Sequence, residues 1–158
     1  MPGEVERVHA TAIAIGDRAA LIRGYSGSGK SDLALRCLGL GPSALVRDTI
    51  KLVSDDQVVL RHEGSCLRAS APPQLRGKLE IRGLGILEVD AVTEANVVLV
   101  VDLVREGTIE RFPDPWPFAQ ILGFDLPLVR LFPFESSSPL KLVAAIVMAT
   151  LPRVTPKA

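Results

Sequence analysis

The chain has 158 residues, of which 47% are hydrophobic and 23% are charged, a composition typical of a folded globular protein rather than a disordered one. Eighteen basic and eighteen acidic residues cancel, so no excess of positive charge favours nucleic acid or an anionic membrane as a partner. By length alone we expect one domain, spanning residues 1–158.

Cysteine usage and hydropathy indicate a cytoplasmic protein. Cys37 and Cys66 are the only cysteines, and they show no metal-ligand spacing. Two buried thiols fit a reducing compartment better than a disulfide framework. The first residues do not resemble a signal peptide, and the longest apolar region, residues 140–151, contains Lys141 and is too short to span a bilayer.

The first predicted elements are two short strands. Apolar runs over residues 8–15 and 19–22 are separated by Gly16-Asp17, which predicts a tight turn. His9 stands at the start of the first strand. A single histidine there is compatible with a structural role or with function, and the residues alone leave both open.

The most informative stretch follows the second strand. It matches G-x-x-x-x-G-K-[ST], the phosphate-binding P-loop, as Gly24-Tyr25-Ser26-Gly27-Ser28-Gly29-Lys30-Ser31. Glycines let successive N–H groups point at phosphate oxygens, the lysine brings charge to the β- and γ-phosphates, and the serine hydroxyl reaches Mg²⁺. Residues 32–38 favour a helix that ends at Gly39, and its positive end would face the phosphates.

Two adjacent acids follow the next predicted strand. The strand over residues 51–54 delivers Asp55 and Asp56 at its carboxyl end, where ligands bind in open α/β sheets. One acid would serve Mg²⁺ and the other a reacting hydroxyl; a solvated turn is the alternative, because Asp also favours turns. Residues 58–61 and 66–69 then predict a hairpin with a four-residue loop.

The second half of the chain completes the predicted sheet. We expect a helical turn over residues 74–79 and a strand over 97–101 that is buried on both faces and ends at Asp102, the generic second acid of a P-loop protein. A short strand is predicted over 109–112 and an edge strand over 126–134. The proline-rich loop around Trp116 is predicted to cap the core, with partner binding as the alternative. The last predicted element is a helix over 140–149, with Ser138 as N-cap and Pro139 at N1.

Four stretches together resemble the HPr kinase/phosphorylase family. They are Val8-His9-Ala10, the P-loop, Leu52-Val53-Ser54-Asp55-Asp56 and Leu79-Glu80-Ile81-Arg82-Gly83-Leu84-Gly85-Ile86. The last stretch is the most specific. The resemblance covers the catalytic domain, in the short alphaproteobacterial form that lacks the N-terminal domain. It implies an α/β fold, a P-loop-containing mixed β-sheet with flanking helices.

The resemblance implies an ATP- and Mg²⁺-dependent protein serine kinase that acts on the phosphocarrier HPr. Residues 24–31 would hold ATP, while Ser31, Glu80 and the neighbouring Asp55 would hold Mg²⁺. Asp56 matches the acid that accepts the serine proton. Lys30 matches the P-loop lysine that offsets the charge on the phosphates. His9 and Arg111 match the family's active-site histidine and arginine. The family also implies a homo-oligomer, a hexamer in most members.

Two departures from the family pattern leave alternatives open. Tyr25 replaces the usual aspartate after the first P-loop glycine, at a position that does not bind phosphate. The basic P-x-x-P-G-R-N loop is replaced by residues 132–139, which leaves reverse phosphorolysis open. The alternatives are a small-molecule P-loop kinase that uses Asp102, which would normally carry an Arg-rich lid, and a catalytically weak ATP-binding regulatory module. A GTPase-like module would need an N-K-x-D motif, which is missing.

Overall fold

The computed structural model describes residues 3–150 of the chain. Within them, eleven strands, two α-helices and one 3₁₀ turn follow in the order β1 Val5–Val8, β2 Thr11–Ile15, β3 Arg18–Arg23, α1 Lys30–Leu38, β4 Ile50–Ser54, β5 Val58–Glu63, β6 Cys66–Ser70, the 3₁₀ turn Pro73–Leu75, β7 Lys78–Ile81, β8 Gly85–Glu88, β9 Glu94–Leu103, β10 Phe118–Ile121, β11 Phe124–Leu131 and α2 Ser138–Thr150.

A mixed sheet of nine strands branches at β9. One path through it runs β1-β5-β6-β9-β3-β2-β4, and the hairpin β7–β8 forms a separate small sheet. β9 lies parallel to β3 along one edge; along the other it pairs first with β6 and then with β11. One branch therefore ends in β1 and the other in the hairpin β10–β11. This is the mixed α/β class that the sequence predicts.

Two apolar cores cover the two faces of the sheet. Consecutive residues of β9 alternate between them, because side chains of a strand point to opposite faces: Leu99 and Val101 belong to the core beneath the helices, and Val100 to the other. All three are buried. The prediction of a strand buried on both faces is confirmed. The central position of β9 explains why this run is apolar throughout.

The strand predicted over residues 8–15 is wrong in one respect, because it is two strands with different partners. β1 pairs with β5, whereas β2 pairs with β3 and β4. His9 lies in the break between them rather than at the start of a strand. The β1–β5 pairing ends at Val8. Two residues later, the backbone amide of Ala10 donates to the carbonyl of Asp56 at 3.2 Å.

Three further elements differ from prediction because long-range partners define them. The hairpin β5–β6 has a two-residue loop, since Glu63 already pairs with Cys66. The helical turn expected over residues 74–79 is only the 3₁₀ turn, and β7 follows it. Residues 109–112 are exposed bends and irregular backbone rather than a strand.

The last strand and helix are present with changed details. β11 is not an edge strand, because it pairs with β10 over residues 124–127 and with β9 over residues 128–131. α2 begins at Ser138, whose hydroxyl donates to the carbonyl of Phe132 at 2.5 Å. Ser137 takes the N-cap position instead, since its carbonyl accepts the amide of Lys141.

The other sequence predictions concern membrane-spanning helices, the two cysteine thiols and the loop around Trp116. None of the helices within residues 3–150 has the length and apolar character needed to cross a bilayer. Cys37 is fully buried on α1, and burial raises the pKa of its thiol to about 12. Cys66 is only half-buried, so the expectation of two buried thiols is met by one of them. Trp116 packs against the core beneath the helices, as the capping loop predicts.

Candidate active site

The P-loop connects β3 to α1, as the sequence predicts. β3 ends at Arg23 and α1 begins at Lys30. Gly29 precedes the helix with φ +102°, a backbone conformation that residues other than glycine rarely adopt. Gly24 packs closely against Ser28: a Cβ there would lie 2.3 Å from Ser28 Oγ and 3.1 Å from Ser28 Cβ, so Ser28 would have to move. The loop thus has the compact form that turns backbone amides inward at a helix N-terminus.

The lysine of the loop folds back over it. Lys30 Nζ donates to the carbonyl oxygens of Gly24 at 2.7 Å and Tyr25 at 3.0 Å, and the residue is 7% exposed. Loss of hydration lowers the pKa of its ammonium group, and the carboxylates of Asp56 and Asp55 oppose that shift. Ser28 Oγ is buried and has no hydrogen-bond partner among the described residues, which leaves a donor that an incoming anion would satisfy.

Asp55 is a buried carboxylate that accepts hydrogen bonds from three different elements. It is 5% exposed, and its Oδ1 accepts hydrogen bonds from Ser31 Oγ at 2.7 Å and Thr11 Oγ1 at 2.9 Å. The backbone amide of Glu80 donates to its Oδ2 at 3.4 Å. One carboxylate therefore connects the P-loop helix, β2 and the hairpin β7–β8. It also fixes the hydroxyl of Ser31, the residue that the motif assigns to the metal.

Asp56 has the opposite environment, although it is the next residue. Its side chain is 61% exposed, and its Oδ1 lies 3.3 Å from His9 Nδ1. Its backbone has φ +69°, a left-handed conformation that Asp tolerates better than most residues. This turn separates the two carboxylates: Asp55 points into the protein and Asp56 into the open cavity. The two roles that the sequence predicts for the pair stay a prediction, and the structure gives the two carboxylates different environments.

A cavity of about 480 Å³ brings the predicted groups together. Its wall carries one histidine, the P-loop, Asp56 and one end of the hairpin β7–β8, through the residues His9, Thr11, Ser26, Gly27, Gly29, Lys30, Ser31, Asp32, Leu35, Asp56, Glu80, Ile81, Arg82 and Phe134. The cavity is therefore polar and faces the N-terminus of α1. It combines the P-loop with the exposed carboxylate of Asp56.

Six of the lining residues were not among the predicted site residues, namely Thr11, Asp32, Leu35, Ile81, Arg82 and Phe134. Arg82 belongs to the stretch that carries the family resemblance, and that position could have identified it. Phe134 had no such signal. A Cβ at Gly29 would lie 3.1 Å from its ring, so the ring packs directly on the P-loop. Arg36 of α1 holds the same segment by donating to the carbonyl oxygens of Pro133 and Glu135.

Two sequence candidates lie outside the cavity. Arg111 is exposed on the loop that joins β9 to β10 and does not line the cavity. Asp102 forms a two-pronged ion pair with Arg23, at 2.7 Å and 3.0 Å, and this pairing raises the pKa of the Arg23 guanidinium. Its carboxylate is therefore engaged, and it does not line the cavity either.

The donor set fits a magnesium ion that arrives with phosphate. Within residues 3–150 no three His, Cys, Asp or Glu side chains form a group that could hold a metal by themselves. Mg²⁺ typically takes one or two carboxylates and completes its shell with water and substrate phosphates. The hydroxyl of Ser31 beside Asp55, with Glu80 across the cavity, matches that smaller requirement.

Comparisons with known proteins agree with this geometry. The family model described as HPr Serine kinase C-terminal domain matches residues 3–155. The HPr kinase/phosphorylases of Cupriavidus necator and Cupriavidus metallidurans are 30% and 31% identical over 156 residues, which is 93% of this chain and 46% of each relative. The chain thus spans about half the length of these relatives. The solved structure of the Hpr(Ser) kinase/phosphatase from Coxiella burnetii superposes with a TM-score of 0.73 and 28% identity, over 90% of this chain and 88% of that one.

Proposed function

The chain belongs to the HPr serine kinase C-terminal domain family, and from that premise we propose that it transfers the γ-phosphoryl group of ATP to a serine of an HPr-type phosphocarrier protein. The observation that carries the proposal is the single cavity in which the P-loop lysine, Ser31, Glu80 and Asp56 meet. The names of the relatives describe kinases that act on HPr. A site with a phosphate-binding loop and an exposed carboxylate suits the same reaction.

The nucleotide would bind with its phosphates on the P-loop. The amides before α1 and the positive end of that helix attract the β- and γ-phosphates. Lys30 would exchange its two carbonyl partners, Gly24 and Tyr25, for phosphate oxygens, which repays the dehydration of its ammonium group. Mg²⁺ held by Ser31, Asp55 and Glu80 would neutralise charge on the phosphates.

Asp56 would activate the acceptor. As the serine Oγ–phosphorus bond forms, the hydroxyl proton passes to the Asp56 carboxylate, and the bond from phosphorus to the bridging oxygen of ADP breaks. His9, 3.3 Å from Asp56, orients that carboxylate. Arg82, across the cavity, would offset charge on the transferring group. Arg111 stays a prediction, since it requires its exposed loop to approach the cavity when substrates bind.

Phosphate transfer to a purified phosphocarrier tests the proposal. The enzyme is incubated with labelled ATP, Mg²⁺ and an HPr-type protein, and the modified residue is mapped by mass spectrometry. Transfer to one serine, lost when that serine is replaced by alanine, supports the kinase. Binding of ATP without transfer supports the alternative, a regulatory module. A small-molecule kinase using Asp102 is disfavoured, because Arg23 already occupies that carboxylate.

Two further proposals concern the reverse phosphorolysis reaction and the oligomeric state. Residues 132–139 contain no basic side chain, so we expect little phosphorolysis when phosphoserine phosphocarrier and inorganic phosphate are supplied. The cytoplasmic homo-oligomer implied by the family resemblance stays a prediction. Light scattering on the purified chain measures its mass and tests the hexamer.

A further inference from the structure

Phe134 is an exposed aromatic side chain in the wall of the polar cavity. It is 61% exposed, and the edge of its ring packs on the P-loop: a Cβ at Gly29 would lie 3.1 Å from its Cζ and 3.2 Å from its Cε1. Single exposed apolar residues elsewhere on a surface need no explanation. This one lines the same cavity as the P-loop lysine and Asp56, so it would contact whatever occupies that cavity.

The backbone on both sides of Phe134 is anchored. Arg36 of α1 donates to the carbonyl oxygens of Pro133 and Glu135, which flank it. The ring of Phe132 meets the Phe134 ring at 80° with centroids 5.7 Å apart, so it engages at most one of the two ring faces. A ring that is held in place with an accessible face can bind a flat ligand at little cost in ordering.

The segment that carries Phe134 suits an uncharged ligand group. Residues 132–139 consist of two phenylalanines, two prolines, three serines and one glutamate. The glutamate is Glu135, and its carboxylate pairs with Lys141 at 3.0 Å. The segment therefore brings no cation to a phosphate. What it brings to the cavity is an aromatic surface, which binds other ring systems by stacking.

Phe134 lies on a different flank of α1 from the metal-side groups. Ser31 faces Asp55, to which its hydroxyl donates. The segment 133–135 is held instead by Arg36, which pairs with Asp32 one turn earlier on the helix at 3.0 Å. Residues 31 and 32 point about 100° apart around a helix axis. The cavity thus has a carboxylate side and an aromatic side, with the N-terminus of α1 between them.

We infer that Phe134 binds the base of the nucleotide by stacking on its ring. This inference rests on the proposed function, in which the phosphates lie on the P-loop and the γ-phosphate faces Asp56. A nucleotide is elongated, so its base lies at the opposite end from the γ-phosphate and reaches the aromatic side of the cavity. Stacking uses the face of the base and not its edge. Phe134 therefore strengthens nucleotide binding without distinguishing adenine from guanine.

Calorimetry with Phe134→Ala separates the base from the phosphates. Wild type and variant are titrated with ATP, with GTP and with inorganic tripolyphosphate, which has the same phosphate chain and no base. We expect the Kd for ATP and for GTP to rise about fivefold or more, and the Kd for tripolyphosphate to stay the same. In the kinase assay the KM for ATP should rise in step, with kcat at saturating ATP unchanged.

The matched control is Phe118→Ala. Phe118 is 60% exposed, nearly the same fraction as Phe134, and it does not line the cavity. This variant should bind all three ligands as wild type does. Phe134→Trp keeps an aromatic face, so it should retain ATP affinity. The fluorescence of the new indole should fall with ATP and GTP but not with tripolyphosphate, after subtraction of the same titration of wild type, which contains Trp116.

The outcomes distinguish the inference from the proposed function. If Phe134→Ala weakens tripolyphosphate as much as ATP, the ring supports the P-loop and does not bind the base, and the inference is overturned. Unchanged ATP affinity in Phe134→Ala overturns it as well. If wild type binds ATP and the base effect is present, but no phosphate reaches the phosphocarrier, the proposed kinase function fails and the base site stands. If wild type binds no ATP, both fail.

Discussion

Replacing Thr11 by valine tests the buried network beneath the P-loop. Thr11 is fully buried and its hydroxyl donates to Asp55 Oδ1 at 2.9 Å. Valine has nearly the same shape and cannot donate. The substitution therefore removes one of the two hydroxyl donors of Asp55 and leaves Ser31 as the other. Thr11→Ser is the matched control, because it keeps the donor and loses only a methyl group.

The expected cost follows from the burial of both partners. Asp55 is 5% exposed, so water cannot replace the lost donor. A hydrogen bond to a charged group contributes about 2 kcal/mol, and for a chain of this size that corresponds to a fall in Tm of about 4–8 °C. Thr11→Ser loses about 0.8 kcal/mol of apolar burial. The hydroxyl, rather than the methyl, should thus carry most of the effect.

Urea unfolding and kinase assays measure the two consequences. The free energy of unfolding should fall in the order wild type, Thr11→Ser, Thr11→Val. Because Asp55 also fixes the metal-side hydroxyl of Ser31, kcat should drop about tenfold in Thr11→Val and recover in Thr11→Ser. Valine as stable and as active as wild type, or serine worse than valine, would refute the idea that this hydroxyl positions Asp55.

Three other predictions concern the P-loop, the two candidate acids and the thiols. Asp56→Asn should lower kcat by about 10²–10⁴-fold while ATP still binds. Asp102→Asn should keep most of kcat and have a lower Tm, because Arg23 loses its ion-pair partner. Steady-state kinetics that show the reverse pattern would exchange the roles of the two acids. Gly24→Ala should weaken ATP binding in calorimetry, because its Cβ would lie 2.3 Å from Ser28 Oγ and 3.1 Å from Ser28 Cβ and would displace that P-loop residue; Gly41→Ala, with nothing within 4 Å of the new Cβ, should bind as wild type. At pH 8 a thiol reagent should modify Cys66 and spare Cys37, whose pKa of about 12 keeps it protonated, until urea exposes both; rapid labelling of Cys37 in the folded protein, read by mass spectrometry, would contradict its burial.

Local patterns were enough to predict the P-loop and the strands around it. The residues from Gly24 to Ser31 determine the conformation of the loop themselves, because its glycines and the start of α1 are close together in the sequence. β9 was equally predictable, because a strand buried on both faces has to be apolar throughout. In both cases nearby residues determine the structure.

The remaining features depend on partners that are distant in the chain. The break at His9 arises because Ala10 bonds to Asp56. The different burial of Asp55 and Asp56 is set by Thr11 and Ser31. Phe134 meets Gly29 across a hundred residues of chain, and no spacing rule predicts that contact.

The parallel pairing of β3 with β9 also determines when the proposed nucleotide site can form during translation. β3 precedes the P-loop, yet its parallel neighbour ends at Leu103, so a nascent chain holds the loop long before it holds that support. Chains emerge from the ribosome N-terminus first, and contacts that are distant in sequence form slowly. The hairpin β2–β3 would be made early and leave one edge exposed until β9 arrives. If ATP binds as proposed, we expect it to stabilise the chain only after β9 has joined the sheet.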